Sequence, residues 1–250
     1  MRVVQLYRHP VKGLSPEPLQ SARLVEGAHF PCDRLFALEN GPSGFDPGAP
    51  IHLPKIKFLM LMRNGALAGL TTRYDDATET LTLKRKDKLV AQGRLDRPEG
   101  REAIEKYLTA FLGEEIRGPV RLLAAPDGHR FMDSKSGFVS LINLASVEAI
   151  AEAAGHPVDP LRFRANIHLA DMAPWAETGL VGKTLTLGGA KLEVLKMIDR
   201  CAATGVEPGT GVRDMDIVDT LRKRFGHIDC GVYAKVLEGG EVNVGDPARA

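Results

Sequence analysis

"DRCAATGVEPGTGVRD", residues 199–214, contains one cysteine, Cys201, which an arginine precedes and two alanines follow. A run rich in threonine, glycine and proline comes next, which is typical of a turn or loop. The stretch has no second cysteine, and no histidine stands nearby at the spacing that metal ligands need. Three interpretations of Cys201 are therefore open: a buried structural thiol, a nucleophile, or a ligand for a group that the chain does not supply.

The composition limits the partners and the compartment. The chain has 250 residues, of which 33 are basic and 32 acidic, so its formal net charge is +1. Nucleic-acid-binding proteins usually have a basic excess, and we expect no nucleic-acid partner. Apolar stretches such as FLMLM are too short to span a membrane, and the N-terminus has no signal-peptide pattern. With three scattered cysteines and no disulfide framework indicated, we expect a cytoplasmic protein without membrane association.

Short segments bounded by glycine, proline and aspartate dominate the chain and predict many β-strands. The candidates are 2–7, 22–26, 34–39, 58–63, 66–72, 80–84, 88–92, 120–125, 162–169, 184–187, 191–198 and 231–237, with a hairpin over 71–85. Helices are predicted from Pro98 to Gly113, from Ser146 to Gly155 and over about 216–225. The segments do not alternate as in a doubly wound sheet. We predict a mixed β/α+β fold: a β-barrel core, a small α/β insert and a few peripheral helices.

Motifs for several common chemistries are absent. GLVGKT, residues 179–184, ends like a phosphate-binding loop, but Glu177 stands where that loop needs glycine. No dinucleotide-binding glycine pattern, zinc-spaced histidine pair or nucleophile elbow is present. Three cysteines cannot build a four-thiolate iron–sulfur centre within the chain.

One segment alternates in a way that suggests a binding face. In LRFRANIHLAD, residues 161–171, a strand would place Arg162, Arg164, Asn166 and His168 on the same side. Arginine and asparagine side chains bind anionic, hydrogen-bonding ligands well. The alternative is a solvated outer face of the barrel.

Three other segments have polar residues suited to ligand binding, and each also has a purely structural interpretation. They are Lys12 after a proline in residues 9–16, the Asp33–Arg34 pair before an apolar strand, and Asp133, Ser134 and Ser136 in a glycine-containing loop. The alternatives are an exposed lysine, a structural ion pair and a loop-capping aspartate.

Taken together, these motifs resemble one family over essentially the whole chain. They are YRHPVKGLS at 7–15, DR at 33–34, SLINLAS at 140–146, RFRANI at 162–167, GLVGKTLTLGG after a tryptophan at 175–189, RCAATGVEPGTG at 200–211 and the terminal GGEVNVGD. The sequence resembles MOSC-domain proteins with an N-terminal MOSC extension, such as the amidoxime-reducing components and the YcbX-type molybdenum reductases. The Cys-x-x-Thr-x-Val-x-Pro-x-Thr-Gly pattern is the most specific of these motifs.

The resemblance implies a molybdenum cofactor, Mo-molybdopterin, with Cys201 as a protein ligand of the metal, as suits a soft thiolate donor. The resemblance also implies contacts with the cofactor. Lys12, Arg34 and Arg164 would contact the pterin phosphate and ring edges, and Asn166 would contact the pterin. Further contacts would come from Thr204, Thr210 and Gly211 in the cysteine-containing turn, from Ser134 and Ser136 in their loop, and from Arg200 beside the thiol. Asp133 matches an acidic residue near the metal and would donate a proton. Gly13 replaces a serine that the family often has, so that hydroxyl contact is lost or replaced.

The activity that the resemblance implies is reduction of small N-hydroxylated substrates, N–OH to N–H plus water, with Cys201 and Asp133 as catalytic residues. Electrons would come from a separate ferredoxin-, flavodoxin- or cytochrome-type protein, because the sequence ends without the ferredoxin domain of the YcbX-type proteins. We expect residues 1–53 and 118–250 to form the MOSC-type barrel with the cofactor site, and residues 54–117 to form the α/β insert.

Two other functions stay open. Cys201 could hold a persulfide and act as a sulfur carrier, since a thiolate beside cations suits sulfur exchange. The chain could also be a non-catalytic carrier of molybdenum cofactor, which would use the same binding residues without a metal position open to substrate.

Overall fold

The computed structural model describes residues 1–250, which form fifteen strands and three α-helices. The strands are β1 (Arg2–Arg8), β2 (Glu17–Leu19), β3 (Ser21–Leu24), β4 (Phe36–Asn40), β5 (Thr71–Asp75), β6 (Thr80–Arg85), β7 (Lys88–Arg94), β8 (Val120–Ala124), β9 (Val139–Asn143), β10 (Ile167–Ala170), β11 (Thr184–Leu187), β12 (Ala190–Asp199), β13 (Asp229–Glu238), β14 (Gly240–Asn243) and β15 (Ala248–Arg249). The helices are α1 (Pro98–Leu112), α2 (Leu144–Ala154) and α3 (Ile217–Phe225).

Eight strands form the largest sheet, in the order β15-β11-β12-β13-β9-β10-β1-β2. Strands β9 and β10 pair in parallel, and the other neighbours are antiparallel. The sheet curls around an apolar cluster that includes Leu6, Leu141 and Val232, and the β3–β14 pair adds Leu24 and Val242 to it. Burying an aliphatic side chain of this kind stabilises a fold by about 2 kcal/mol. The predicted β-rich, barrel-like core with few helices is confirmed.

A second apolar cluster lies under α1, the β4–β8 pair and the three-stranded sheet β5-β6-β7. Helix α1 has Pro98 in its first turn and buries Ile104, Leu108 and Leu112 along one face. It ends at Gly113, which has a φ of 52° that glycine adopts without strain. The predicted first helix and the hairpin over 71–85 are both confirmed.

The other two helices pack against each other over a third cluster, which includes Val147, Ile150, Leu221 and Cys230. Cys230 is therefore a buried core thiol. The cap of helix α2 lies three residues earlier than the sequence predicted, at Asn143, whose side chain accepts a hydrogen bond from the Ala145 backbone N–H. Ser146, the predicted cap, instead bonds to Glu177.

The predicted strand over 162–169 is confirmed only for its last three residues. Residues Pro160–Phe163 form a 3-10 turn, Arg164 has left-handed backbone angles, and β10 begins only at Ile167. The arginines at 162 and 164 therefore do not share a strand face with Asn166 and His168.

Other strand predictions also need correction. Residues 58–63 form a short bridge and a turn, and residues 66–72 are mostly the 3-10 turn Gly65–Gly69 that precedes β5. Strands β2, β9, β14 and β15 were not predicted. The division into 1–53 with 118–250 and a 54–117 insert stays a prediction. No helix of this chain has both the length and the apolar character needed to cross a bilayer.

Candidate functional site

A cleft of about 280 Å³ lies at the C-terminal end of β12, where the chain turns through residues 200–213. We call residues 200–213 the Cys loop. The opposite side is formed by residues 55–62 and by the loop before β9. Seven cationic side chains and two carboxylates line the cleft: Lys12, Arg34, Lys55, Arg162, Arg164, Lys196, Arg200, Asp133 and Asp199. This excess of positive charge favours an anionic ligand.

Eight of the twelve predicted site residues line this single cleft, although they come from distant parts of the sequence. They are Lys12, Arg34, Asp133, Ser134, Arg164, Arg200, Cys201 and Thr204. The remaining four, Ser136, Asn166, Thr210 and Gly211, do not line it.

Lys12 reaches the cleft from the turn that follows β1, and its side chain is almost fully buried. Its Nζ donates to the carbonyl oxygen of Phe131 at 3.0 Å and to the Asp133 carboxylate. Burial lowers the pKa of Lys12, which Asp133 opposes. Burial would also raise the pKa of Asp133, but the Lys12 ammonium outweighs it and holds that pKa below its usual range. Asp133 is therefore an ionised carboxylate near neutral pH.

Arg34 is held in position by a buried network. Its guanidinium donates to the carboxylate of Asp33 and, at 3.1 Å, to the backbone carbonyl oxygen of Arg164. Asp33 is fully buried and accepts a hydrogen bond from the backbone N–H of His9 at 2.7 Å. Burial, Arg34 and Arg164 lower the pKa of His9 to about 3, so that the imidazole is neutral. The Asp33–Arg34 pair thus orients an arginine toward the cleft.

The buried guanidinium of Arg164 is only partly hydrogen-bonded. Its Nη1 donates to the carbonyl oxygen of Leu14 at 2.7 Å, but Nη2 is buried and has no hydrogen-bond partner. Burial and the neighbouring Arg34 lower its pKa to about 9. A buried donor without a partner costs about 1–3 kcal/mol, which an anion in the cleft would recover. The residues present therefore fit a phosphorylated group at Arg164, Arg34 and Lys12.

Cys201 lies at the end of β12 with its thiol partly exposed in the cleft. The backbone N–H and the hydroxyl of Thr204 both donate to the Cys201 carbonyl oxygen, at 3.1 and 3.0 Å, and fix the turn behind the thiol. The Lys55 ammonium faces the sulfur. Burial acts to lower the pKa of Lys55, but Cys201 and Asp133 raise it above its ordinary value.

Arg200 lines the cleft next to Cys201, and all its hydrogen bonds go to backbone carbonyl oxygens. Its guanidinium is buried, donates to the carbonyl oxygens of Cys230 and Phe163, at 2.7 and 2.8 Å, and stacks over the Phe163 ring. Arg162 pairs with Asp214 through two hydrogen bonds of 2.7 and 2.8 Å. Both arginines therefore stabilise the walls of the cleft.

Asn166, Thr210 and Gly211 lie outside the lining of the cleft, and their predicted contacts with a cofactor stay predictions. The Asn166 Oδ1 accepts hydrogen bonds from the backbone N–H and the hydroxyl of Ser140, and its Nδ2 donates to the Tyr7 carbonyl oxygen at 3.2 Å. Thr210 donates to Glu207 at 2.6 Å. Gly211 packs against the 65–69 turn. Thr210 and Gly211 therefore belong to the turn that docks the Cys loop.

Ser136 also lies outside the lining, in the loop before β9, where its backbone N–H bonds to the Ser134 hydroxyl. Of the two serines predicted as ligands, only Ser134 reaches the cleft.

The sequence did not indicate several residues that line the cleft: Lys55, Met60, Met62, Lys196 and Tyr233. Lys196 and Tyr233 are directly opposite each other on β12 and β13, and the lysine Nζ lies 5.9 Å from the centre of the tyrosine ring. The alternation along these two strands could have placed both on one sheet face. Lys55 and the methionines carried no such signal.

Comparison with known proteins gives two family matches that together span most of the chain. A model described as the MOSC N-terminal beta barrel domain matches residues 1–115, and the MOSC domain model matches residues 128–249. A molybdenum cofactor sulfurase of Caenorhabditis elegans is 25% identical over 230 residues. That match covers 88% of this chain but 31% of the sulfurase, so the chain spans about a third of that relative.

Two solved structures are also similar. The YUAD protein from Bacillus subtilis is 14% identical, with a TM-score of 0.46, over 99% of this chain and 93% of the other. YiiM from Geobacillus stearothermophilus is 18% identical, with a TM-score of 0.38, over 51% of this chain and 65% of the other.

Proposed function

This chain belongs to the MOSC-domain family, which is linked to the molybdenum cofactor, and we propose that it binds Mo-molybdopterin in the cleft and reduces small N-hydroxylated compounds. The observation that supports this proposal most directly is the convergence of Lys12, Arg34, Arg164 and Cys201 on one cleft. Three cations and a partly exposed thiol match the two ends of the proposed cofactor, an anionic phosphate and a metal that prefers soft donors.

Each of these residues has a distinct part in the proposed site. Lys12, Arg34 and Arg164 would neutralise the cofactor phosphate, and the unpartnered Nη2 of Arg164 would donate to it. Cys201 would supply a thiolate ligand, held in position by the Thr204 turn. When bound, the cofactor supplies two-electron chemistry with transfer of oxygen, which no side chain can supply alone.

The net reaction consumes two electrons and two protons for each N–OH bond that is cleaved, and it releases water. The electrons would come from a separate donor protein of ferredoxin, flavodoxin or cytochrome type. Asp133 is ionised, so a proton that it passes to the substrate would come from the Lys12 ammonium, to which it is hydrogen-bonded. Met60, Leu61 and Met62 add apolar side chains to the lining of the same cleft. We place the protein in the cytoplasm.

The test is to purify the chain from cells that make molybdenum cofactor, and to measure molybdenum, pterin and benzamidoxime reduction with an artificial electron donor. The comparison is between the unchanged chain, Cys201→Ala and Cys32→Ser, whose thiol is half-buried and outside the cleft. We expect near-stoichiometric molybdenum and turnover in the unchanged chain and in Cys32→Ser. Cys201→Ala should retain pterin and lose turnover.

Two results would contradict the proposal at different levels. Metal-loaded protein that leaves every N-hydroxylated compound unchanged would refute the activity but not the cofactor site. Protein from cofactor-replete cells that contains neither molybdenum nor pterin would refute both.

A sulfur carrier is the second candidate, and the similarity to a protein named molybdenum cofactor sulfurase favours it. In that function the Cys201 thiol would carry a persulfide, and Lys55 would stabilise the anionic sulfur. Mass spectrometry of protein from sulfur-replete cells would distinguish the two. An added sulfur atom on Cys201 in chains without molybdenum would favour the carrier.

A non-catalytic cofactor carrier would use the same cations and thiol. Turnover with the artificial donor excludes it, because a carrier would release loaded cofactor without reducing any substrate.

A further inference from the structure

Two cations in the cleft have no carboxylate or carbonyl partner: Lys55 contacts the Cys201 sulfur and Lys196 lies over the Tyr233 ring. Lys12 pairs with Asp133, Arg34 with Asp33 and Arg162 with Asp214, while Arg164 and Arg200 donate to backbone carbonyl oxygens. The ammonium groups of Lys55 and Lys196 have no hydrogen-bonded carboxylate or carbonyl partner. They remain available to a ligand.

These two lysines come from different elements that line the cleft. Lys55 belongs to the 3-10 turn Lys55–Lys57 and faces the Cys201 sulfur, and Lys196 projects from β12 beside the Tyr233 ring. Asp199 is the free carboxylate of the lining, so the unpaired charge near the thiol is positive on balance.

The cleft lining also includes apolar side chains. Met60, Leu61, Met62 and Met132 are among them, and thioether side chains adapt well to the shape of a bound apolar group. A molecule with an apolar body and a single negative group would therefore satisfy both kinds of surface.

We infer that the cleft selects small molecules that carry a carboxylate or phosphate, with Lys55 and Lys196 as the specificity-determining residues. Combined with the proposed function, the substrate is an anionic N-hydroxylated compound. That last step rests on the proposed function, whereas the preference for negative charge does not.

The preference can be measured on the full chain without turnover, by alkylating Cys201 with iodoacetate, which is anionic, and with iodoacetamide, which is neutral. Mass spectrometry of the Cys201 peptide gives the rate constant for each reagent. Both reagents attack the same sulfur, so the ratio of the two rate constants cancels the ionised fraction of the thiol. A short unstructured peptide with one cysteine gives the reference ratio.

We expect the ratio in the unchanged chain to exceed that of the peptide. It should fall about threefold in Lys55→Gln and in Lys196→Gln, as removal of one nearby charge predicts, and rise in Asp199→Asn. Two control variants should leave the ratio of rate constants unchanged. Lys57→Gln changes a residue in the same turn as Lys55 but outside the cleft. Lys191→Gln changes a residue on the same strand as Lys196, outside the cleft, whose ammonium pairs with Glu238. Equal ratios in all these variants would overturn the inference.

A second experiment separates substrate from cofactor as the source of the anion. In molybdenum-loaded protein, Lys55→Gln and Lys196→Gln should keep the metal content and lose kcat/KM for a carboxylated benzamidoxime but not for the parent compound. Loss of molybdenum from both variants would assign the lysines to the cofactor and overturn the inference. If the alkylation ratios behave as expected and neither compound is reduced, the proposed function fails and the charge preference stands.

Discussion

Two arginines of the cleft adopt a backbone conformation that few residues other than glycine accept. Arg34 has a φ of 49° and Arg164 a φ of 54°, and each such residue costs about 1–3 kcal/mol. The two are joined by the bond from the Arg34 guanidinium to the Arg164 carbonyl oxygen, and Asp33 holds the first in place. Strain at two contacting cations is typical of a binding site, where orientation of the side chains matters more than backbone stability.

His168 gives a prediction about pH at the residue scale. It is fully buried on β10 beside Tyr7, and neither ring nitrogen has a hydrogen-bond partner. Burial lowers its pKa from 6.5 to about 4, so the unfolded chain binds the proton more tightly than the folded chain does. His168 therefore has no effect on the free energy of unfolding above pH 6.5, and it lowers that free energy as the pH falls from 6.5 toward 4.

We therefore expect His168→Leu to remove about 2 kcal/mol of the stability loss between pH 7 and pH 5. The measurement is urea unfolding at the two pH values. His9 and His29 also have lowered pKa values and contribute in the same direction, so the unchanged chain is the baseline. The exposed His156 provides the control variant His156→Leu, which should keep the full pH dependence. The same pH dependence in both variants would contradict the prediction.

At the scale of elements, the Cys loop is positioned by its contact with the first half of the chain. The Gly209 N–H donates to the Ala68 carbonyl oxygen at 2.8 Å, and Arg213 donates to the carbonyl oxygens of Leu61 and Met62. These bonds set Cys201 opposite the apolar side of the cleft. The Thr210–Gly211 turn lies in the part of the Cys loop that contacts residues 65–69.

Gly211 tests this docking, and Gly209 is its matched control. Both have a positive φ, of 77° and 84°, so alanine should cost about 1 kcal/mol at either position from backbone strain. A Cβ at Gly211 would also lie 2.8 Å from the Gly65 carbonyl oxygen, whereas one at Gly209 would meet nothing within 4 Å. We expect Gly211→Ala to cost about 1–3 kcal/mol more than Gly209→Ala and to speed iodoacetamide alkylation of Cys201. Equal costs in urea unfolding would show that the contact does not hold the loop.

The elements show where sequence patterns were sufficient. Helix α1 follows from a proline at its start and a glycine at its end. The β5–β6 hairpin follows from a turn between two alternating segments. Strand β9 is buried at every position, so alternation could not reveal it. Residues 162–169 alternate as a strand would, but Asp159 and Pro160 before them form a cap and first turn. That local signal outweighed the alternation.

At the scale of the whole molecule, the cleft needs both regions that match the family models. Lys12, Arg34 and Lys55 come from residues 1–115, and Arg164, Lys196 and Cys201 come from residues 128–249. The sequence predicted Lys12, Arg34, Arg164 and Cys201 from the motifs that resemble the family. The walls could not be predicted, since Lys55 and the methionines approach Cys201 only through tertiary packing.

An anion that bridges the two regions should stabilise the chain as a whole. Pyrophosphate at ten times its Kd would add about 1.4 kcal/mol, which raises Tm by about 3 °C in a chain of this size. The gain arises because Arg164 has a buried donor without a partner and the cleft has an excess of cations. The measurement is Tm by differential scanning calorimetry. We expect Tm to be higher with pyrophosphate than with sodium chloride at the same ionic strength. Arg164→Met should abolish the rise, whatever its own Tm, while Arg222→Gln on the exposed face of α3 should retain it. An equal rise in both variants would mean that pyrophosphate binds outside the cleft.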